Sequence, residues 1–209
     1  RAVKAMERAL SYVKPGVSES EIAAEAYHQL YKLGCEHPLV YVNIGPHPRI
    51  HAEPLSDVKA REEVFVTIVV GADYTGYYAN MSRSIFLGSP SGVAKSAVKC
   101  MDEVYRTALE YTKPGAQFVD VMRKLDHVYK DYGMLQYRVT GYAHGVGLQV
   151  EEPPITTIVP RHRMLKFVPR MVLAFIHAPI ALKNYGQVKK EDTFIVNEDG
   201  TLENITKLS

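Results

Sequence analysis

Hydrophobic and polar residues follow the same pattern twice along this chain. The segment Ala9-Leu-Ser-Tyr-Val-Lys-Pro-Gly16 returns 99 residues later as Ala108-Leu-Glu-Tyr-Thr-Lys-Pro-Gly115. In both copies an amphipathic helical pattern ends at the Lys-Pro-Gly turn signal. A second helical pattern follows and runs to a glycine, Gly34 or Gly133, which can end a helix. The repeat therefore predicts a duplicated architecture.

Sequence typical of strands follows each helix pair. These segments are rich in β-branched and aromatic residues, which favour strands. They cover residues 39–44, 64–70, 77–87, 137–139, 148–150, 171–176 and 193–196. Because helices precede strands in both copies, the order predicts an α+β fold. We expect a single domain over residues 1–209, with halves of about 1–99 and 100–209.

Composition and charge place the chain among ordinary soluble globular proteins. It is 46% hydrophobic and 23% charged, with a net charge of +2, and its basic residues are scattered among acidic ones, so neither nucleic acid nor membrane is indicated as a partner. Two cysteines, Cys35 and Cys100, do not make a disulfide framework. No apolar run reaches the length of a membrane span. We expect a cytoplasmic protein.

Two motifs carry the clearest chemical information. The first, G-A-D-Y-T-G-Y-Y-A-N-M-S-R, runs from Gly71 to Arg83, and the second, G-Y-A-H-G-V-G-L-Q-V-E-E, runs from Gly141 to Glu152. Both resemble the motifs of the pita-bread metallopeptidases, which include methionine aminopeptidases, prolidases, Xaa-Pro aminopeptidases and metal-independent creatinases. The resemblance covers nearly the whole chain. It implies two pseudo-twofold related helix-helix-strand halves around a curved antiparallel sheet, with the site in its concavity.

The resemblance also implies five metal-ligand positions, which are usually two Asp, one His and two Glu. The His is matched by His144 and the last Glu by Glu191, whereas the other positions fall on Val69, Asn80 and Ile176. Paired divalent ions need bridging carboxylates to offset their mutual repulsion. We therefore expect no metal cofactor; Mn, Co or Zn would be the ions to expect in a functional site.

His177 directly follows Ile176, so strand alternation decides which of these two side chains can face the site. Successive side chains of a strand point to opposite faces, so Ile176 is predicted to face the site and His177 to face away unless a bulge intervenes. Val69 and Ile176 would then form an apolar floor that suits a peptide side chain. With His51 and Glu152, they are the candidate substrate-binding residues.

His51, His144 and Glu151 are the candidate catalytic residues. His51 follows a Gly-Pro segment where the resemblance implies a substrate-facing histidine, and Glu151 stands where the family has its second histidine, seven residues after His144. Glu151 or Glu152 could transfer a proton if a partly apolar cleft raised its pKa. The alternative is a solvent-facing strand end.

Two functions follow from this reading. In the first, the chain is a prolidase-like or Xaa-Pro aminopeptidase-like domain that has lost most metal ligands and binds a peptide or protein in its cleft without catalysis. In the second, it is an Xaa-Pro peptidase or a creatinase-like amide hydrolase that uses His51 and His144 with weakly held metal or none. A homodimer and a further N-terminal domain, which many prolidase-like proteins carry, are additional expectations.

Overall fold

The computed structural model describes residues 1–208, and the helix–helix–strand order occurs in it twice. The first half contains helices α1 (Ala2–Tyr12) and α2 (Glu19–Lys32) and strands β1 (Leu39–Ile44), β2 (Phe65–Tyr74) and β3 (Tyr77–Phe86). The second half contains helices α3 (Gly92–Tyr111) and α4 (Phe118–Asp131), the 3-10 turns Leu135–Tyr137 and Pro160–Met164, and strands β4 (Ala143–Gly145), β5 (Glu152–Ile155), β6 (Val172–Phe175), β7 (Ile180–Leu182), β8 (Gly186–Val188), β9 (Asp192–Val196) and β10 (Leu202–Asn204). The α+β prediction is confirmed.

The strands form antiparallel sheets. The first half has the order β1-β2-β3, and the second has a larger sheet of order β10-β9-β6-β4-β5 and a hairpin of β7 and β8. Ser82 in β3 and Glu191, just before β9, join the two halves by exchanging backbone hydrogen bonds of 3.0 and 3.1 Å. This bridge brings the Glu191 side chain to the boundary between the halves.

Each half buries a hydrophobic core of its own. In the first, apolar residues of α1 and α2 such as Met6 and Ile22 pack with the buried residues of β1–β3. In the second, Met101 and Phe118 of α3 and α4 pack with Phe175 and its neighbours. Since burying one such large side chain contributes about 1.5–3 kcal/mol, these cores hold the strands that carry the site in a fixed arrangement.

The glycines predicted to end the second helix of each half are confirmed, and the starts of these two helices differ. Ser18 and Glu21 form a capping box at the start of α2, with the Glu21 N–H donating to Ser18 Oγ and the Ser18 N–H to Glu21 Oε2. At the equivalent start of α4, Gln117 makes no side-chain cap bond. Gly34 and Gly133 follow the two helices with φ of 81° and 68°, which glycine adopts without steric cost.

The predictions are wrong at two of the shorter segments. In the segment predicted over 137–139, Tyr137 ends a 3-10 turn and Arg138 makes only an isolated β-bridge with Ile180. Residues 148–150 are a bend next to Gly147, where Leu148 is 68% exposed. Several real strands have only three or four residues, which is too few for an alternating pattern to emerge.

Among residues 1–208 no helix is both long and apolar enough to cross a membrane.

Candidate functional site

A cleft opens where strands from the two halves face each other. One wall comes from β1–β3 and the loop after β1, and the other from β4 and from the segments that follow β6 and precede β9. The lining residues are Leu39, Tyr41, His51, Val69, Asn80, His144, Val150, Glu151, His177 and Lys189. The cleft therefore combines imidazoles, a carboxylate, an amide and an ammonium with an apolar rim.

His144 lies on β4, between β5 and β6, and is fully buried. Its Nδ1 lies 2.8 Å from the carbonyl oxygen of Gly145, so this nitrogen carries the proton and the lone pair of Nε2 faces the side-chain nitrogen of Asn80 at 3.3 Å. Gly145 is required here because a Cβ would lie 2.5 Å from the Pro153 carbonyl oxygen. The close approach of β5 thus fixes the strand that aims Nε2 into the cleft.

A β-bulge after β6 places His177, rather than Ile176, in the cleft. The N–H groups of Ile176 and His177 both donate to the carbonyl of Tyr142, at 2.8 and 3.0 Å, so two residues oppose one. Ile176 has a φ of 62°, a strained value for a β-branched residue. Its side chain is fully buried in the second core. The prediction that Ile176 faces the site and contributes to substrate binding is wrong.

Glu191 and Lys189 form a buried ion pair at the base of the cleft. Lys189 Nζ lies 3.0 Å from Glu191 Oε2, and the two side chains are 4% and 0% exposed. Glu191 Oε1 also lies 3.3 Å from His144 Nε2 and 3.2 Å from His177 Nδ1. Burial alone would raise the pKa of the Glu191 carboxyl, but the Lys189 ammonium and the contact with His177 hold it well below its usual range.

A second group of side chains lies at the open side of the cleft. Glu151 has one oxygen 3.8 Å from His51 Nε2 and the other 3.8 Å from His177 Nε2. Burial, reinforced by the positive charge of Lys189, lowers the pKa of His51 and lowers that of His177 to about 4. Both imidazoles are therefore neutral at pH 7 and can accept a proton.

The wall of the first half supplies no carboxylate. Val69 on β2 is 8% exposed and faces the cleft, while the side-chain nitrogen of Asn80 on β3 lies 3.3 Å from His144 Nε2. Asn80 is held by reciprocal hydrogen bonds between its backbone and the Thr193 hydroxyl. Its side-chain oxygen is buried and has no hydrogen-bond partner among the described residues.

Most of the predicted site residues meet in this cleft, but Glu152 does not line it. Its carboxylate instead accepts a hydrogen bond of 3.1 Å from the Gln149 N–H. Sequence reasoning missed His177 and Lys189. A signal for Lys189 was present, because residues at i and i+2 of an extended segment point to the same side, as Lys189 and Glu191 do.

This fold and this cleft define a pita-bread protein. Residues 1–198 match metallopeptidase family M24, and the chain belongs to that family. It is similar to the Xaa-Pro dipeptidase of Pyrococcus furiosus, at 27% identity over 201 residues, which are 95% of this chain and 57% of the relative. It is also similar to a creatinase of Bacillus sp., at 28% identity over 143 residues, which are 63% of this chain and 33% of the relative.

Solved structures show the same fold. The prolidase of Pyrococcus horikoshii superposes on this chain with a TM-score of 0.91 at 25% identity, covering all of this chain and 59% of the prolidase. The prolidase of Pyrococcus furiosus gives a TM-score of 0.88 at 26% identity, covering all of this chain and 61% of that protein. The chain thus spans little more than half the length of these relatives.

The residues present do not fit the pair of metal ions that the family name implies. Two divalent ions need carboxylates that bridge them, yet the wall formed by Val69 and Asn80 has none. Among residues 1–208, two groups of converging donors do remain: His144, His177 and Glu191, and His51, Glu151 and His177. The ligand atoms of each group lie within 4.8 Å of one another, but the Lys189 ammonium adjoins the first group.

Proposed function

We propose that this domain binds a short peptide or another amide-containing ligand in the cleft and does not hydrolyse it by a two-metal route. The observation that carries this proposal is the charge distribution across the cleft: Val69 and Asn80 supply no carboxylate on one wall, and Glu191 on the other is already paired with Lys189. Family membership and the likeness to an Xaa-Pro dipeptidase favour a ligand of the peptide class.

The chemistry of the lining suits such a ligand. Leu39, Val69 and Val150 offer apolar surface, while the neutral imidazoles of His51 and His177 can hydrogen-bond an amide. Tyr41 stacks on His51 with ring centroids 5.5 Å apart, which holds this imidazole at the mouth of the cleft. A peptide bond could therefore be oriented without a metal ion.

The test is calorimetric binding of Xaa-Pro dipeptides to chelator-treated protein, with amino-acid release measured before and after addition of Mn²⁺ or Co²⁺. We expect binding in both conditions and no metal-stimulated release. His51→Ala should weaken binding about 3- to 10-fold, since one hydrogen bond to the ligand contributes about 0.5–1.5 kcal/mol. His28→Ala, on the exposed face of α2, is the matched control. Metal-dependent turnover that His144→Ala abolishes would overturn the proposal.

A second candidate function is metal-free hydrolysis of a small amide. The open-side group favours it, because Glu151 lies 3.8 Å from both His51 and His177, and the lowered pKa values of these histidines leave both imidazoles unprotonated at pH 7. The likeness to a creatinase is consistent with it. Turnover that resists chelator and is lost in His51→Ala and His177→Ala would establish this candidate; its absence across a panel of small amides would remove it.

A further inference from the structure

We propose that the ammonium of Lys189 is the resident cation of this cleft: it takes the role that metal ions fill in the family and prevents His144, His177 and Glu191 from binding a single divalent ion. This inference goes beyond the proposed function and does not depend on a peptide ligand.

The first support is the buried position of the charge pair. A carboxylate as deeply buried as Glu191 is costly unless an opposite charge lies beside it. Among residues 1–208, Lys189 is the one Lys or Arg side chain within ion-pair distance of Glu191. The neighbouring Lys190 points elsewhere, with its Nζ 2.7 Å from Asp102 on α3. Lys189 is therefore the residue that balances this charge.

The second support is the convergence of electron pairs around Glu191. His144 Nε2, whose ring proton is on the other nitrogen, faces Glu191 Oε1 at 3.3 Å, so no proton is shared between these two acceptors in the neutral imidazole. The side-chain nitrogen of Asn80 also lies 3.3 Å from His144 Nε2, whereas the described residues offer no donor between His144 Nε2 and Glu191 Oε1. Two acceptors that face each other at this distance have the arrangement of ligands around a cation.

The donor types match a single transition-metal ion. Zn²⁺ and Co²⁺ accept two imidazoles with one carboxylate, and the ligand atoms of His144, His177 and Glu191 lie within 4.8 Å of one another. Lys189 Nζ already lies 3.0 Å from Glu191 Oε2 and 3.5 Å from His177 Nδ1. An incoming divalent ion would have to share these ligands with a positive charge in a poorly solvated place, which opposes its binding.

The test is titration of chelator-treated protein with Co²⁺, followed by visible absorption and calorimetry. We expect no stoichiometric uptake by the wild-type protein or by Lys189→Arg, which keeps the positive charge. We expect Lys189→Met to bind one Co²⁺ per chain, at least 100-fold more tightly than wild type, and to show the visible bands of protein-bound cobalt. The readout is the metal itself and requires no activity.

Two double variants separate the two donor groups, which share His177. In the Lys189→Met background, His144→Ala should abolish cobalt uptake and His51→Ala should leave it unchanged. Uptake that depends on His51 instead, or no gain in Lys189→Met, would overturn the proposal. If Lys189→Met does not fold, the wild-type protein still decides the matter: a rise in its melting temperature with Co²⁺ or Zn²⁺ would contradict a resident ammonium, and an unchanged temperature would support it.

The two proposals can fail separately. A wild-type protein that binds Co²⁺ yet shows no metal-stimulated turnover would overturn the resident cation and leave the peptide-binding proposal standing. A wild-type protein that excludes Co²⁺ and binds no dipeptide would overturn the peptide-binding proposal and leave the resident cation standing.

Discussion

The two walls of the cleft come from related halves, yet they differ in charge. The first half presents Val69 and Asn80, which are neutral, whereas the second presents His144, Glu191 and Lys189, which pair with one another. A two-metal site needs carboxylates that bridge the ions, and the first wall offers none. Here the negative charge of Glu191 is already offset by Lys189 on the same wall. The comparison teaches that the wall without a carboxylate faces a wall whose carboxylate is paired with a lysine.

The largest effect is expected from removing the negative charge of the second wall. Glu191→Gln keeps the shape of the side chain but leaves the buried Lys189 ammonium without its counter-charge, so we expect a loss of about 3–5 kcal/mol in the free energy of unfolding. Urea denaturation measures it. Val69→Ala on the opposite wall is the comparison and should cost only about 1–2 kcal/mol, since it removes two methyl groups at the edge of the cleft. If Val69→Ala costs more than Glu191→Gln, the contrast between the walls is wrong.

An intermediate effect is expected from lowering the pH. The native pKa of His177 is about 4 and its ordinary value is 6.5, so the unfolded chain takes up a proton first as the pH falls. This contribution to stability is complete above pH 6.5 and is lost as the pH falls towards 4. Between pH 7.5 and 5 the loss should reach about 2 kcal/mol, at 1.36 kcal/mol per pKa unit. Urea denaturation at each pH measures it.

His177→Gln should flatten this pH dependence, because the variant has no imidazole to protonate at that position. His51, whose pKa is also lowered, would retain a smaller dependence of the same sign. Equal slopes for wild type and His177→Gln would show that this imidazole is not buried in neutral form.

The smallest effect is expected from substitutions at the starts of α2 and α4, which lie away from the cleft and at equivalent positions of the two halves. Ser18→Ala removes the capping box of α2 and should cost about 1 kcal/mol. Gln117→Ala, at the equivalent position of α4, should cost less, because its side chain makes no cap bond and its one hydrogen bond, from Nε2 to the Met164 carbonyl at 2.9 Å, is exposed to solvent. Thermal or urea denaturation of the two variants measures the difference. Equal losses in the free energy of unfolding would contradict the expected difference between the two helix starts.

Much of the fold could be predicted from local signals. The Lys-Pro-Gly repeat located the helix pairs, and the long runs now seen as β2 and β3 were recognised because ten residues are enough to display a strand pattern. Strands such as β7 and β8, with three residues each, could not be recognised. Their pairing with each other, rather than their composition, makes them strands.

The site was predictable only in part. The resemblance located His51, Val69 and His144 on the lining of the cleft. It misplaced Ile176, because alternation assumes a regular strand and the bulge opposite Tyr142 reverses the side-chain direction at His177. A bulge depends on which carbonyl the neighbouring strand offers, and that information lies outside the segment itself.

By itself, the sequence determined the duplicated helices, the α+β order and the absence of carboxylates at Val69 and Asn80, because each is a matter of residue identity or local periodicity. The tertiary structure decided that His177 enters the cleft and that Lys189 lies against Glu191. The physical reason is that charges and lone pairs act through distances of a few ångströms. Those distances exist only after strands from both halves have paired.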